Sequence, residues 1–252
     1  MLELIGLDPF TLHLDQVLLA PSPAHWLGTD SLGRDVLSRL IYGAGTSILV
    51  GLIAVGLSTV IGILVGAAAG MNKRADALLM RFVDVMLCFP SFFLILAVVA
   101  FLKPSLMNVM IVIGLTSWMG TARLVRAEFL KLQNQEFILA AKMQGTGNWR
   151  LMWRELLPNA MAPVYVNVTF AIAGAILTES ALSFLGLGVQ PPTPSWGQML
   201  SEGKANLEVA WWLSLFPGLC ILITVLLCNS LGEYLRRKFD PKHTKYNSSA
   251  RV

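Results

Sequence analysis

Glu179 is a carboxylate within a long apolar run, where it could bind an ion or contact a substrate. A charge at the centre of a bilayer costs about 2.5 to 3.5 kcal/mol on insertion scales, so the group must face protein, a partner or water. Two interpretations stay open. Glu179 and Ser183 could line a translocation path, or Ser180 and Ser183 could hydrogen-bond a structural carboxylate. Asp84 follows Arg81 by one helical turn, which predicts a local ion pair.

The other reactive residues do not form a catalytic or metal site. Residues 28–35, GTDSLGRD, come close to a phosphate-binding loop. However, Arg34 replaces the lysine of that motif and Asp35 replaces the hydroxyl residue that would hold Mg²⁺. The remaining candidates are isolated from one another: His13, His25, His243, Cys88, Cys220 and Cys228. We therefore expect no catalytic residue, metal site or cofactor in this chain.

The segment from Glu136 to Pro158 mixes polar and apolar residues between two long apolar runs. Helical patterns flank residues 145–147, whose two glycines predict a helix end and a turn. Small side chains at Ala140 and Ala141 would let a partner surface approach closely. The segment could be a docking site for that partner, or a surface helix that lies among lipid headgroups.

The composition is that of a membrane protein. Hydrophobic residues make up 55% of the chain, charged residues 13%, and the mean hydropathy is +0.65. Soluble domains carry about 25% charged residues. Five apolar runs are long enough to cross a bilayer as helices: 47–70, 85–102, 104–122, 156–178 and 209–232. We therefore predict an all-α, polytopic helix bundle.

Basic residues indicate how the helices are oriented. Most of the 19 Lys and Arg residues fall in the loops after the first, third and fifth runs and in the tail. The other side holds Arg34, Arg39, Lys103 and Lys204. Cytoplasmic loops are enriched in Lys and Arg, so the first group faces the cytoplasm. The net charge of +4 reflects this topology, and we expect no nucleic-acid partner.

Glycine and proline positions predict how the spans pack. Gly62, Gly66 and Gly70 share one face of the first span and would allow close approach of another helix. We expect that face to pack within this chain rather than in a dimer. Pro90 and Pro217 lie inside spans and predict kinks.

The polar segment resembles the coupling-loop motif of bacterial ABC importer permeases. The matching residues are Ala140, Ala141, Gly145, Leu157 and Pro158. Leu139 stands where the motif usually has an acid, and Glu155 where it has an apolar residue. We therefore expect Glu136 to supply the acid from one turn earlier. The resemblance implies that these residues contact an ATPase.

Three further segments, 25–35, 182–188 and 191–197, resemble the dipeptide, oligopeptide and nickel branch of that family. The resemblance implies a type I ABC importer transmembrane domain in the bacterial inner membrane. It also implies a substrate-binding protein outside, and the residues expected to face it are Asp30, Arg34, Asp35, Pro194 and Trp196. Other implied partners are membrane lipid, a homologous second permease and two ATPases that bind ATP and Mg²⁺.

The domain organisation follows from these runs. We expect an extracytoplasmic segment over residues 1–42, a transmembrane permease domain over 43–238 with a cytoplasmic coupling loop over 128–160, and a cytoplasmic tail over 239–252. Relatives usually carry one more helix before this point. The chain is therefore expected to lack that first span, through truncation or a misassigned start.

The predicted function is that of a non-enzymatic permease subunit that forms half of the path for di- or oligopeptides. The same role for a nickel chelate, glutathione or another small ligand stays open. A second class is an ion-coupled secondary transporter, which would need carboxylates within the membrane. Only Glu179 provides one at such a position.

Overall fold

The computed structural model describes residues 8–239. Its helices are α1 (Val36–Met71), α2 (Lys73–Leu87), α3 (Ser91–Ala100), α4 (Leu106–Thr116), α5 (Trp118–Leu132), α6 (Glu136–Met143), α7 (Asn148–Leu151), α8 (Leu157–Phe184), α9 (Trp196–Lys204) and α10 (Trp212–Phe239). A π-helical turn, Met152–Leu156, joins α7 to α8. No β-strand occurs within residues 8–239, which confirms the all-α class.

Four helical segments are long and apolar enough to cross a membrane. They are α1, Leu106–Leu132, Asn148–Phe184 and α10. The pair α2 and α3 would make a fifth span, although the two helices are bent by 82°. The predicted polytopic bundle is confirmed, and the predicted number of five spans is reached if α2 and α3 count as one span.

The second predicted span, residues 85–102, lies in the bent pair of helices α2 and α3. The chain bends between α2 and α3, at the residues before Ser91. Pro90 explains the break, because a proline has no N–H to donate and its ring clashes with the preceding turn. The kink predicted at Pro90 is thus confirmed. The helix α10 continues through Pro217, and α8 continues through Pro163.

The helix α1 begins at Val36, before the apolar run 47–70 from which the first span was predicted. Asp35 caps its first turn, because one carboxylate oxygen accepts from the backbone N–H and the hydroxyl of Ser38, each at 2.8 Å. The predicted boundary between residues 42 and 43 therefore falls inside a helix that starts at Val36.

The described chain divides into two compact units. The first comprises residues 8–54, 95–113 and 173–227, and includes α9 and the segment before α1. The second comprises residues 55–94, 114–172 and 228–239, and includes α2, α6 and α7. Each unit contains its own buried residues.

In the second unit, the glycine face of α1 packs against α5. A Cβ atom added at Gly66 would lie 2.5 Å from the carbonyl oxygen of Ala122, and one at Gly70 would lie 2.6 Å from Cβ of Phe129. Gly62 is similarly close to Thr121. Real Cβ atoms do not approach so closely, so only glycine permits this contact. The expected packing face within the chain is confirmed.

Two ion pairs join α2 to α5 in the same unit. Arg126 binds Asp76 with two hydrogen bonds, one of them 2.7 Å long. Asp84 bonds Arg123, so the predicted local pair with Arg81 is wrong. The reason is that the packing of α5 on α2 brings the Arg123 guanidinium onto this carboxylate. Sequence spacing within α2 carries no information about that contact.

Candidate functional site

A tight turn follows α6 in the segment singled out from the sequence. The Thr146 N–H donates to Ala141 O at 3.1 Å, and the Gly145 N–H donates to Lys142 O at 3.0 Å. This bond pair is the Schellman motif, which requires a left-handed residue just after the helix. Gly145 has φ +80°, as the sequence predicted. Glycine adopts this conformation without steric strain.

The second helix of the segment contains a π-helical turn that we did not predict. The Leu157 N–H donates to Met152 O, five residues earlier. Pro158 follows and has no N–H, so it cannot complete an ordinary helical bond there. Single π-helical turns occur frequently at functional sites. The proline at 158 is the one local signal that could have pointed to this turn.

Three side chains anchor the segment to the second unit. Ile138, Leu151 and Leu156 are fully buried in an apolar cluster that includes Val125 and Phe129 of α5. Ile138 anchors α6, whereas its neighbour Phe137 is exposed. A segment held by these contacts has a defined position, so its outer surface is presented in a fixed shape.

The opposite surface exposes large apolar side chains. Met143 is 90% exposed and Trp149 is 73% exposed, and Trp149 contacts Trp153 edge to face at 5.5 Å between ring centroids. Phe137 and Leu139 are exposed on α6. Methionine and aromatic residues are enriched where proteins bind one another. We call the surface formed by these five residues the loop surface.

The predicted coupling residues lie on or beside the loop surface. Exposed members are Glu136, Ala140, Gly145 and Pro158, whereas Ala141 and Leu157 are half-buried and pack on the apolar cluster. No other atom lies within 4 Å of a Cβ built on Gly145, so the turn is open to a partner. Their contact with an ATPase stays a prediction.

In the first unit, Glu179 is fully buried among serine hydroxyls. Ser183 and Ser195 donate to its Oε1 at 2.7 and 2.9 Å, and Ser180 lies 3.5 Å from Oε2. Ser183 also accepts the Val189 N–H at 3.0 Å. These bonds compensate for the lost hydration of the carboxylate. The geometry fits the structural alternative for Glu179, and the path-lining role of Glu179 and Ser183 stays a prediction.

A buried ion cluster lies in the same unit. Arg34 donates to Asp30 at 2.7 Å and to Glu202 at 3.0 Å, and Arg39 bonds the same two carboxylates. Gln198 joins the cluster through Arg39, which donates to Gln198 Oε1 at 3.0 Å. The two positive and two negative charges balance, which a buried cluster needs in order to be stable.

Ser195 and Gln198 connect the ion cluster to Glu179. Ser195 caps α9 by accepting the Gln198 N–H at 3.1 Å, while its hydroxyl donates to Glu179. The segment before α1, the start of α1, α9 and the outer part of α8 therefore share one polar network. Sequence analysis missed Arg39, Ser195, Gln198 and Glu202, because Arg39 meets Gln198 and Glu202 across 159 and 163 residues of sequence.

The residues expected to face a binding protein are mostly buried in this unit. Asp30 and Arg34 belong to the ion cluster, and Pro194 and Trp196 are buried. The indole N–H of Trp196 donates to Leu40 O at 3.1 Å. Asp35 is partly exposed and lies 3.1 Å from His25. These side chains shape the surrounding loops, and the contact of those loops with a binding protein stays a prediction.

Residues 58–245 match the model of the protein family described as "Binding-protein-dependent transport system inner membrane component". A di/tripeptide transport system permease protein of Pseudomonas aeruginosa is 48% identical over 86% of this chain and 72% of its own length. A dipeptide transport system permease of Alkalihalophilus pseudofirmus is 45% identical over 89% and 74%. A glutathione transport system permease of Pectobacterium atrosepticum is 40% identical over 90% and 76%.

Solved structures with a similar fold include transmembrane chains of ABC transporters. An inward-facing MetNI methionine ABC transporter matches with a TM-score of 0.67 at 17% identity, covering 79% of this chain and 95% of that chain. An amino acid ABC transporter crystallised with histidines matches with a TM-score of 0.60 at 13% identity, over 81% and 93%. At such low identity these matches establish the fold alone.

Proposed function

This chain belongs to the family of binding-protein-dependent transport system inner membrane components, and we propose that it forms half of a translocation path for di- and oligopeptides. It is a permease component of an ABC importer and lies in the inner membrane. The observation that carries the proposal is the family match over residues 58–245, together with relatives named as dipeptide permeases.

The loop surface is where this permease would receive force from its ATPases. Met143 and Trp149 provide an exposed apolar surface, while Ile138 and Leu151 fix the segment to the second unit. A partner that covers the loop surface would remove apolar area from water. This burial stabilises the complex by about 25 cal/mol per Å² of apolar surface. ATP and Mg²⁺ belong to those ATPases in this proposal, and no residue of this chain takes part in hydrolysis.

The transport cycle would be alternating access between two homologous permeases and two ATPases. Closure of the ATPases on ATP would push on α6 and α7, and the anchored segment would pass that displacement to the spans. A substrate-binding protein would deliver the ligand from outside. The prolines at 90, 163 and 217 interrupt regular hydrogen bonding in α8, α10 and the bent pair, so these helices could change their curvature.

The partner proposal is tested by cysteine crosslinking. Met143→Cys in the assembled transporter should crosslink to an ATPase subunit in a nucleotide-dependent manner. Phe101→Cys, at a site that is 91% exposed in the first unit, serves as the control. Efficient crosslinking of both variants, or of neither, would count against the loop surface as the docking site.

The substrate proposal needs a separate measurement. Proteoliposomes that contain the assembled transporter should take up a labelled dipeptide only when ATP and the binding protein are present. Glutathione and a nickel chelate are the competing ligands, since a relative at 40% identity is named a glutathione permease. Preferential uptake of either would reassign the substrate. Uptake that needs an ion gradient and no ATP would favour the secondary transporter.

A further inference from the structure

A cavity of about 450 Å³ lies in the second unit where the end of α5, the first turns of α8 and the end of α10 meet. Its polar lining includes Glu128, Lys131, Asn159 and Arg236. Two of these groups are cations, and basic residues at these helix ends belong to the side that we assign to the cytoplasm. The cavity is separate from the loop surface and from the network around Glu179.

Lys131 and Arg236 differ in how closely a carboxylate contacts each of them. Lys131 is positioned by Glu128, whose Oε2 lies 3.1 Å from its Nζ. Arg236 contacts Glu233 at 3.9 Å, which is too long for a hydrogen bond, and its side chain is 72% exposed. A guanidinium with unused donors binds phosphate oxygens in a two-pronged geometry. The lining therefore offers a strong donor set for a phosphate group.

The lining also includes a residue whose carbonyl lacks its usual helical donor. Pro163 is in the interior of α8 and has no N–H to donate to the carbonyl of Asn159, one turn earlier. Both residues line the cavity. The Asn159 side chain is turned back to the backbone, where Nδ2 donates to Glu155 O at 2.6 Å. A hydroxyl group on a ligand could donate to this Asn159 carbonyl.

The remaining lining is apolar. Leu132, Ala162, Val166 and Phe239 complete the walls. A free phosphate or a nucleotide phosphate would use the cations and leave these walls without a partner. A lipid would use both parts, because its headgroup is polar and its acyl chains are apolar.

We propose that this cavity binds an anionic membrane phospholipid. Its phosphate accepts hydrogen bonds from Arg236 and Lys131, a headgroup hydroxyl donates to the Asn159 carbonyl, and the start of the acyl chains packs on the apolar walls. Anionic headgroups are attracted to basic groups at the membrane surface. The site does not depend on which substrate the importer carries.

Neighbouring arginines at the end of α10 provide a matched test. Arg236 lines the cavity, whereas Arg237 is not among its lining residues, and their exposures are 72% and 73%. The assembled transporter with the full chain is placed in nanodiscs with equal amounts of phosphatidylglycerol and phosphatidylethanolamine. Native mass spectrometry then counts the retained lipid. Arg236→Gln and Lys131→Gln should each lower retained phosphatidylglycerol roughly tenfold, because a charge-assisted bond to phosphate is lost.

The controls separate a defined site from surface charge. Arg237→Gln should retain phosphatidylglycerol, and Arg236→Lys, which keeps the charge, should retain more of it than Arg236→Gln. Equal loss in Arg236→Gln and Arg237→Gln would overturn the site in favour of diffuse attraction. Absence of phosphatidylglycerol enrichment in the unmodified transporter would overturn it as well. Displacement of the lipid by inorganic phosphate would show a free-anion site instead. Gel filtration confirms that each variant is folded and assembled.

Discussion

Ser195 donates a hydrogen bond of 2.9 Å to Glu179, and this bond joins the cap of α9 to a carboxylate on α8. The same hydroxyl accepts the N–H of Gln198, whose side chain contacts Arg39. A small helix after the last proline-rich loop is thereby fixed to α1 and α8 by polar contacts.

Arg39→Met should destabilise the first unit strongly. The change leaves buried Asp30 and half-buried Glu202 with one fewer positive partner, and breaking a buried pair such as Arg39–Asp30 costs about 3 to 5 kcal/mol. Lower membrane levels and a lower melting temperature in detergent would show this. Lys103→Met, which removes an exposed cation in the same unit, should leave both quantities unchanged. Equal stability of the two variants would refute the role of the cluster.

The variants Glu179→Gln and Glu179→Leu should differ in thermal stability. Glutamine keeps an oxygen for the Ser183 and Ser195 hydroxyls, whereas leucine leaves buried donors unsatisfied at about 1 to 3 kcal/mol each. Thermal unfolding of the purified transporter should therefore rank glutamine close to the unmodified chain and leucine well below it. Uptake by the glutamine variant then decides the open question. Reduced transport with normal stability would assign a function to the charge.

Gly145→Asp should abolish coupling without preventing membrane insertion. A non-glycine residue at φ +80° costs about 1 to 2 kcal/mol, and the added carboxylate would face the docking partner. We expect normal membrane levels, lost uptake and ATPases that dissociate or ignore the loaded binding protein. Gly147→Asp is the matched control, since Gly147 has φ −63° and similar open space. Normal transport by the Gly145 variant would reduce this turn to a simple connection.

Gly66→Ala should disturb the contact between α1 and α5. The new methyl group would lie 2.5 Å from the Ala122 carbonyl, and such overpacking costs about 1 to 3 kcal/mol. Gly56→Ala has no atom within 4 Å of the new methyl group and should be neutral or slightly stabilising. Melting temperatures of the two variants give the comparison. An unchanged melting temperature for Gly66→Ala would mean that α1 and α5 can move apart with little loss of stability.

Reporter fusions should confirm the orientation inferred from basic residues. A fusion after Arg154 should report the cytoplasm, and one after Gly203 should report the outer side. Enzymatic activity of paired reporters with opposite compartment requirements gives the readout. An external signal at Arg154 would rule out contact between the loop surface and cytoplasmic ATPases.

Much of the fold could be predicted because its signals are local. The apolar runs predicted the spans. The spacing of Gly62, Gly66 and Gly70 predicted a packing face, and Gly145 predicted a turn that only glycine adopts readily. Each of these depends on residues within a few helical turns of one another. The bend of 82° at Pro90 had an equally local signal, the proline itself.

The pairs Arg39–Glu202 and Asp84–Arg123 could not be predicted, because their two members are far apart in the sequence. Arg39 and Glu202 are separated by 163 residues, and Asp84 and Arg123 by 39. Helical periodicity identifies which face of a helix is apolar, and gives no information about which distant charge meets which. Sequence spacing therefore favoured Arg81 as the partner of Asp84, whereas tertiary packing selected Arg123.

The distance along the chain between Arg39 and Glu202 also bears on how the protein is made. Synthesis proceeds from the N-terminus, so Arg34 and Arg39 emerge with Asp30 as their nearby counter-charge long before Glu202 exists. Until that residue is translated, the ion cluster carries one positive charge without its counter-charge. The charge balance of this cluster is therefore reached only after α9 has been translated.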